Sequence, residues 1–320
     1  MNRETIIRSC KITAGAIIAI LIATLLGLKY SATAGIITIL SLQTTKRETI
    51  QTAAGRSLAF ICALIIAAVC YHVIGFRILA FGVYLLVFSL LCLIAGWASS
   101  ISLASVLITH FLTEKAMNPS LILNEILIFA IGTSIGILLN LHLRPRQKPW
   151  RELADKADET IRHILTVMAA QVCSLTASET CDTSFKSLEK LLSDGRKLAL
   201  ANIQNTLFSP SYYELDYIEM RQKQLQVLTH IARSLTMITI IPKQADQIAA
   251  FLQKISLEYH MENDVKSLMF QLETILLSMK KEPLPQSREE FENRAVLFYL
   301  LKQLEEFLLA KQAFAVKYQL

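Results

Sequence analysis

The sequence predicts an all-α chain in two halves, a six-helix transmembrane domain over residues 1–145 and a cytoplasmic helical bundle over 146–320. Three observations carry that reading. The 320 residues are 53% hydrophobic and 18% charged, with a mean hydropathy of +0.44, which excludes an ordinary soluble enzyme. Up to Leu143 the only acids are Glu4, Glu48, Glu114 and Glu125, whereas the rest of the chain carries both signs at helical spacing. Apolar residues recur with a helical period and nothing alternates like a strand.

The first half holds six apolar stretches, roughly residues 12–28, 30–44, 53–74, 78–95, 97–112 and 121–141. In hydrocarbon a backbone must satisfy its own hydrogen bonds, so each is read as a helix, and an even number returns the chain to its starting side. The second stretch is anomalous. In "ATAGIITILSLQTTKRE", residues 32–48, the apolar run stops at Leu42. It covers about 16 Å of helix against roughly 30 Å of hydrocarbon.

Lys and Arg set the orientation. Arg3, Arg8 and Lys11 flank the first helix, Lys46, Arg47 and Arg56 the second turn, and Arg144, Arg146, Lys148 and Arg151 the exit. The opposite loops hold Lys29, Arg77 and Lys115. Both termini are therefore expected in the cytoplasm of a multi-pass cell-membrane protein whose first partner is the lipid bilayer. The first segment follows a charged tail and has no small-residue cleavage site, so it reads as a retained helix. The net charge of +6 is mostly this bias; no basic stripe interleaves with aromatics, and nucleic acid is not an expected partner.

Cofactor chemistry finds no support. Cys10, Cys62, Cys70, Cys92, Cys173 and Cys181 form no CxxC pair and read as core filler. His72, His110, His142, His163, His230 and His260 include no HExxH and no Glu-x-x-His pair, so no metal or other cofactor is expected. There is no GxxxxGK[ST] loop, GxSxG elbow or GxGxxG fingerprint. No catalytic residue is assigned, and ATP hydrolysis on this chain is not the energy source for any transport.

Segment two has a counterpart in segment five, "WASSISLASVLITHFL", which carries Ser99, Ser100, Ser102, Ser105, Thr109 and His110. These two compromised helices hold the same place in successive groups of three, and groups with an odd number of spans run antiparallel. A 3+3 inverted repeat is expected, with the interrupted helices pointing to a substrate site. Segments three and six each bring an ionisable residue into the apolar run, Arg56 in "RSLAF" and Glu125 in "EILIF". Glu125 reads either as a proton-coupling or substrate residue, since intramembrane carboxylates usually face a cavity or proton path, or as an interfacial carboxylate solvated by headgroup water. Arg56 reads first as a snorkelling positive-inside residue and second as an anion ligand. Arg56 lies toward the cytoplasm and Glu125 toward the outside, so the two are not expected to pair. Gln43, Lys46 and Arg47 form either the cytoplasmic mouth of a polar path or an ordinary helix end. His110 either titrates near neutrality or packs at the interface, while Ser99 and Ser102 either line a cavity or let helices approach.

The second half follows "RPRQKPWRE". Leu153, Ala157, Ile161, Ile164, Leu165, Met168 and Val172 recur at helical spacing. Further helices are expected near residues 185–204, 212–240, 242–260, 261–280 and 287–318, punctuated by Pro210, Pro242, Pro283 and Pro285. Ser287 followed by Glu290 predicts a capping box. Met220, Arg221, Gln222, Lys223 and Gln224 read as a solvated helix face. Arg288, Glu289, Glu292, Asn293 and Arg294 read as the charged start of the last helix, with Arg288 and Glu292 paired at i, i+4, or as a docking surface.

These residues carry a resemblance. "EPLPQSREEFENRAVLFYLLKQLEEFLLAK", residues 282–311, resembles the closing signature of the bacterial aromatic acid exporter family, and "SYYELDYIEMRQKQLQVL", residues 211–228, resembles its other cytoplasmic motif. "KITAGAIIAILIATLLGL" followed by "TAGIITILSLQTTKRETI" is similar to the family's first hairpin. The resemblance covers nearly the whole chain. It implies a six-helix membrane domain related to fusaric acid resistance exporters, with the cytoplasmic helical domain of Gram-positive members. It carries over the transporter class and not the substrate. Where the family commonly has Pro and Tyr after the Gln that ends segment two, this chain has Gln43, Thr44, Thr45 and Lys46.

Two functions follow as expectations. One is an exporter of small organic anions, driven by the proton motive force, with segments two and five lining the route. A homo-oligomer is expected, because six helices are half of a typical twelve-helix transporter. The other is a membrane-anchored sensor or scaffold whose cytoplasmic bundle binds a partner or ligand. The soluble half is the longer one, yet a single helix would suffice as a tether.

Overall fold

The computed structural model describes residues 3–141, 147–174, 181–261 and 265–320, all of whose regular structure is helical. His142, Arg144, Pro145 and Arg146, and the side chains of Arg3 and Arg8, lie outside the described residues. The chain forms two compact units, Met1–Arg144 with Gln204–Ser209 and Pro145–Ile203 with Pro210–Leu320.

The first unit contains α1 (Arg3–Leu25), α2 (Ala32–Ser41), α3 (Lys46–Ile74), α4 (Ile78–Ile94), a 3-10 turn at Ala98–Ser100, α5 (Ile101–Glu114) and α6 (Pro119–Leu141). Helices α3 and α6 are long and apolar enough to cross a membrane; Ser9–Leu25, α2 and α4 are apolar but shorter. Thr45 starts α3 by accepting the Glu48 amide at 3.3 Å, and Gly75, at φ 83°, ends it, a backbone conformation that a Cβ would strain.

The interior of this unit is built from small residues. Ala19, Ala23, Ala34, Ala59, Ala63, Ala67 and Ala80 are fully buried, with Tyr84 and Phe88 stacked among them. Large aliphatics point outward: Leu25, Val73, Ile78, Leu86 and Ile94 are all mostly exposed. Small interfaces with apolar exteriors are what helices in lipid require, since lipid supplies no hydrophobic drive between them and close contact must do the work.

Helix α2 packs between α1 and α6. A Cβ on Gly132 of α6 would sit 2.6 Å from Ile37 Cβ and 2.7 Å from the Ala34 carbonyl, and one on Gly136 would sit 2.5 Å from Ser41 Cβ. Only glycine permits that approach. Thr38 uses the proximity, donating to the Gly132 carbonyl at 3.1 Å.

Why the apolar run stops at Leu42 is answered at the two ends of α2, where the chain leaves the helix and α6 satisfies the freed backbone. Asn124 accepts the Lys29 amide at 2.8 Å and donates to the Lys29 carbonyl at 3.2 Å. Asn140, about 24 Å further along α6, donates to the Gln43 carbonyl and the Thr49 hydroxyl, both at 2.8 Å. A half-length helix is tolerable at membrane depth when its irregular flanks are enclosed by protein in this way.

The second unit contains α7 (Gln147–Cys173), most of α8 (Asp182–Asn205), α9 (Tyr213–Leu235), α10 (Ala245–Glu258), α11 (Lys266–Lys280) and α12 (Arg288–Tyr318). Helix α7 packs on α10 and α9 on α12. Ile161, Leu165, Leu228, Phe251, Leu252, Leu304 and Phe307 form a fully buried core of large side chains. Ser287 Oγ accepts the Glu290 amide at 3.0 Å, half of the expected capping box; Glu290 returns the bond to the Gln286 amide at 2.8 Å, one residue early. Helix α9 ends at Leu235 instead of running to Ile240, because the Asn293 side chain accepts the Thr239 amide at 2.8 Å and holds that stretch outside the helix.

Candidate functional site

Polar groups of the first unit gather near the two ends of α6. Near its N-terminus Glu125 is 1% exposed. Its Oε2 lies 2.8 Å from Nδ1 of His110 on α5, and its Oε1 accepts from Asn124 Nδ2 at 3.0 Å. The His110 ring stacks on Tyr30, with centroids 4.0 Å apart and planes 8° from parallel. The Tyr30 hydroxyl donates to Glu114 at 3.1 Å, and Lys29 Nζ pairs with the same carboxylate at 2.9 Å. Asn124, bonded both to the Lys29 backbone and to Glu125, together with the Tyr30–His110 ring stack connects the exposed Lys29 to a buried carboxylate. Sequence reasoning singled out His110 and Glu125 separately; the fold makes them a pair. Glu125 is enclosed, so the interfacial reading with headgroup water around the carboxylate is corrected.

The arrangement brings an imidazole and a buried carboxylate into hydrogen-bond contact. An isolated buried carboxylate is costly and is retained only when paired or protonated. A 2.8 Å contact is within the reach over which a proton can pass between an imidazole and a carboxylate.

Near the other end of α6 the arginine differs from expectation. Arg56 does not snorkel: it is 5% exposed, and its Nη1 donates to the Leu40 carbonyl at 2.8 Å. The physical reason is that α2 ends here with unsatisfied carbonyls and the negative end of its dipole, both of which attract a cation. Gln43, half-buried, reaches the same carbonyl at 3.4 Å; Lys46 is half-buried and Arg47 exposed. Ser99 and Ser102 are exposed on the surface of the unit, while Ser100 is buried. Arg56 and Glu125 form no ion pair with each other.

Asn124, Asn140, Tyr30 and Glu114 were not singled out from sequence. The two asparagines had a usable signal, since an amide inside a run as apolar as "LILNEILIFAIGTSIGILLNL" needs a partner as much as a carboxylate does.

In the second unit, the solvated-face reading of residues 220–224 is corrected. Arg221 and Gln224 are fully buried, Met220 nearly so, and Lys223 is exposed. The Arg221 guanidinium pairs with Asp158 at 2.6 Å and lies against the rings of Tyr217 and Tyr259, bonding to both hydroxyls. Gln224 closes the network by donating to the Phe307 carbonyl at 2.8 Å. Burial pushes the Arg221 pKa down, but Tyr217, Tyr259 and Asp158 outweigh it and hold it above its ordinary value; burial pushes the Tyr259 phenol up to about 12. Gln222 is half-buried, accepting from Arg196 at 3.4 Å. Arg288 and Glu292 form the expected i, i+4 pair at 3.0 Å, both exposed, beside exposed Glu289. Asn293 is buried as the cap of residues 239–240, and Arg294 is tied to Glu290 at 2.6 Å and the Pro283 carbonyl at 2.8 Å. Within the charged start of α12, Asn293 and Arg294 therefore fasten the helix to neighbouring segments.

Comparison with known proteins places this geometry. Residues 4–143 match the family model "Aromatic acid exporter family member 1", and residues 148–312 match "Putative aromatic acid exporter C-terminal domain". A Bacillus subtilis (strain 168) relative, "Uncharacterized protein YqjA", is 28% identical over 310 residues, 96% of this chain and 95% of the relative. A crystal structure of a "putative membrane protein" from Clostridium difficile 630 is 28% identical, covering 52% of this chain and 98% of that one, with a TM-score of 0.47. With both halves matched in order along the sequence, the chain belongs to the aromatic acid exporter family.

Proposed function

We propose that the protein is a secondary exporter of small organic acids in the cell membrane, driven by the proton motive force, with His110 and Glu125 as the proton-coupling pair. Family membership suggests a membrane exporter. The distribution of Lys and Arg supports six spans for α1–α6 with both termini in the cytoplasm. The broken flanks of α2 support a 3+3 inverted repeat, because discontinuous helices mark transporter sites. Six helices are half of a typical transporter, which supports a homo-oligomer.

The observation that carries the coupling role is a carboxylate 1% exposed, in an apolar unit, with a histidine 2.8 Å from it. A tether has no use for such a pair. Transport of radiolabelled benzoate into inside-out vesicles, with and without an imposed pH gradient, tests it. Glu125→Gln is expected to remove the gradient dependence while leaving slow downhill flux, and His110→Gln to shift the pH profile. Gradient-dependent uptake at the wild-type rate in Glu125→Gln would overturn the assignment.

A further inference from the structure

We infer that Arg56 is an anion-binding residue, and that the end of α2 is the place where the carboxylate of the transported acid is held. The inference rests on the exporter reading for its cargo and on charge accounting for its position. Of the acids in the first unit whose side chains are described, Glu48 accepts the Thr44 hydroxyl at 2.7 Å and is exposed, Glu114 is paired with Lys29, and Glu125 is paired with His110. Arg56 has no carboxylate partner among the described residues, yet it is 5% exposed. A buried guanidinium without a counter-charge is costly. The α2 dipole offsets only about half a charge.

The free edge of the guanidinium indicates what would complete it. Nη1 is taken by the Leu40 carbonyl. Nε is buried with no partner. Nε and the Nη2 beside it form the side edge of the fork, which a carboxylate grips with two parallel hydrogen bonds. Ser41, the residue after Leu40, is 5% exposed, and its hydroxyl is also buried without a partner. Two buried donors, Arg56 Nε and the Ser41 hydroxyl, therefore lack acceptors.

The site is testable at equilibrium, without a pH gradient. Gly55, next to Arg56, lies against Trp97, whose Cδ1 would be 3.3 Å from a Cβ there. Trp97 and Trp150 are the two tryptophans of the chain, so a Trp150→Phe background makes Trp97 the reporter. Benzoate is expected to quench Trp97 fluorescence of the full-length protein in nanodiscs saturably, while the isosteric neutral benzamide does not. Quenching by anionic lipid vesicles in place of benzoate would assign the site to headgroups and overturn the cargo role. Arg56→Gln is expected to weaken benzoate binding by about a hundredfold and Arg56→Lys, which keeps the charge but loses the fork, by about tenfold. If Arg56→Gln does not fold, Arg56→Lys decides. Wild-type benzoate affinity in a folded Arg56 variant, or equal binding of benzoate and benzamide by the wild type, would overturn the inference. Because binding is read without a gradient, either result stands apart from the coupling role of Glu125.

Discussion

The two units solve the packing problem in opposite ways. The second has a core of Leu, Ile and Phe and exposes much of its charge, so it is held together by area removed from water, about 25 cal/mol per Å². The first has alanine and glycine inside and Leu and Ile outside, so proximity between backbones replaces hydrophobic drive. The difference shows in how each buries polar groups. In the second unit a charge-centred network around Arg221 ties α7, α9 and α12 and the residue after α10 together. In the first, several are strung along α6, paired with irregular backbone or with a titratable neighbour.

The largest effect should come from breaking the Arg221 network. Arg221→Met leaves Asp158 buried and uncompensated and is expected to destabilise the second unit by about 3–5 kcal/mol, read by thermal melting of the full-length protein. The Asp158→Leu/Arg221→Met double change should recover much of that loss, and equal losses in the single and double variants would show that the charge balance is not what holds the helices. A glycine comparison sharpens the contrast between units. Gly132→Ala places a Cβ against Ile37 and the Ala34 backbone and is expected to cost about 1–3 kcal/mol. Gly195→Ala meets only the tip of Ile218 at 2.8 Å, a flexible end that can turn aside. The gain in helix propensity there should bring the change within about 0.5 kcal/mol of neutral.

A further effect is a pH dependence. Burial, then the charge of Arg221, lowers Lys311 from 10.5 to about 8. Between those two values the unfolded chain holds a proton that the folded one has released, so stability should rise with pH through that window. Lys311→Met should flatten the dependence between pH 8 and 10.5 and raise the melting temperature at pH 7; an unchanged slope would remove Lys311 as its source.

Much of this architecture is legible in the chain. Helical periodicity and proline punctuation indicated the helices of the second half, but α11 starts five residues later than expected and α9 stops five residues early, its last turn unwound by Asn293, more than fifty positions away. Glu125 and His110 stood out because ionisable groups are rare in apolar runs, but spacing does not say that α5 brings one onto the other. Arg56 read as snorkelling because its sequence neighbours cannot reveal the open helix end facing it. Arg221 and Gln224 read as solvated because a polar run at helical spacing looks the same whether water or tyrosine lies opposite.

The amide clamps at either end of α2 also constrain how the protein can be made. Both clamping side chains and both permissive glycines belong to α6, which leaves the ribosome about ninety residues after α2. Until then the ten-residue α2 lacks the asparagine donors for the Gln43 and Lys29 carbonyls and the acceptor for the Lys29 amide. A nascent chain that ends before Pro119 cannot settle this hairpin. Quality control should read such truncated products as unfinished, however hydrophobic they are.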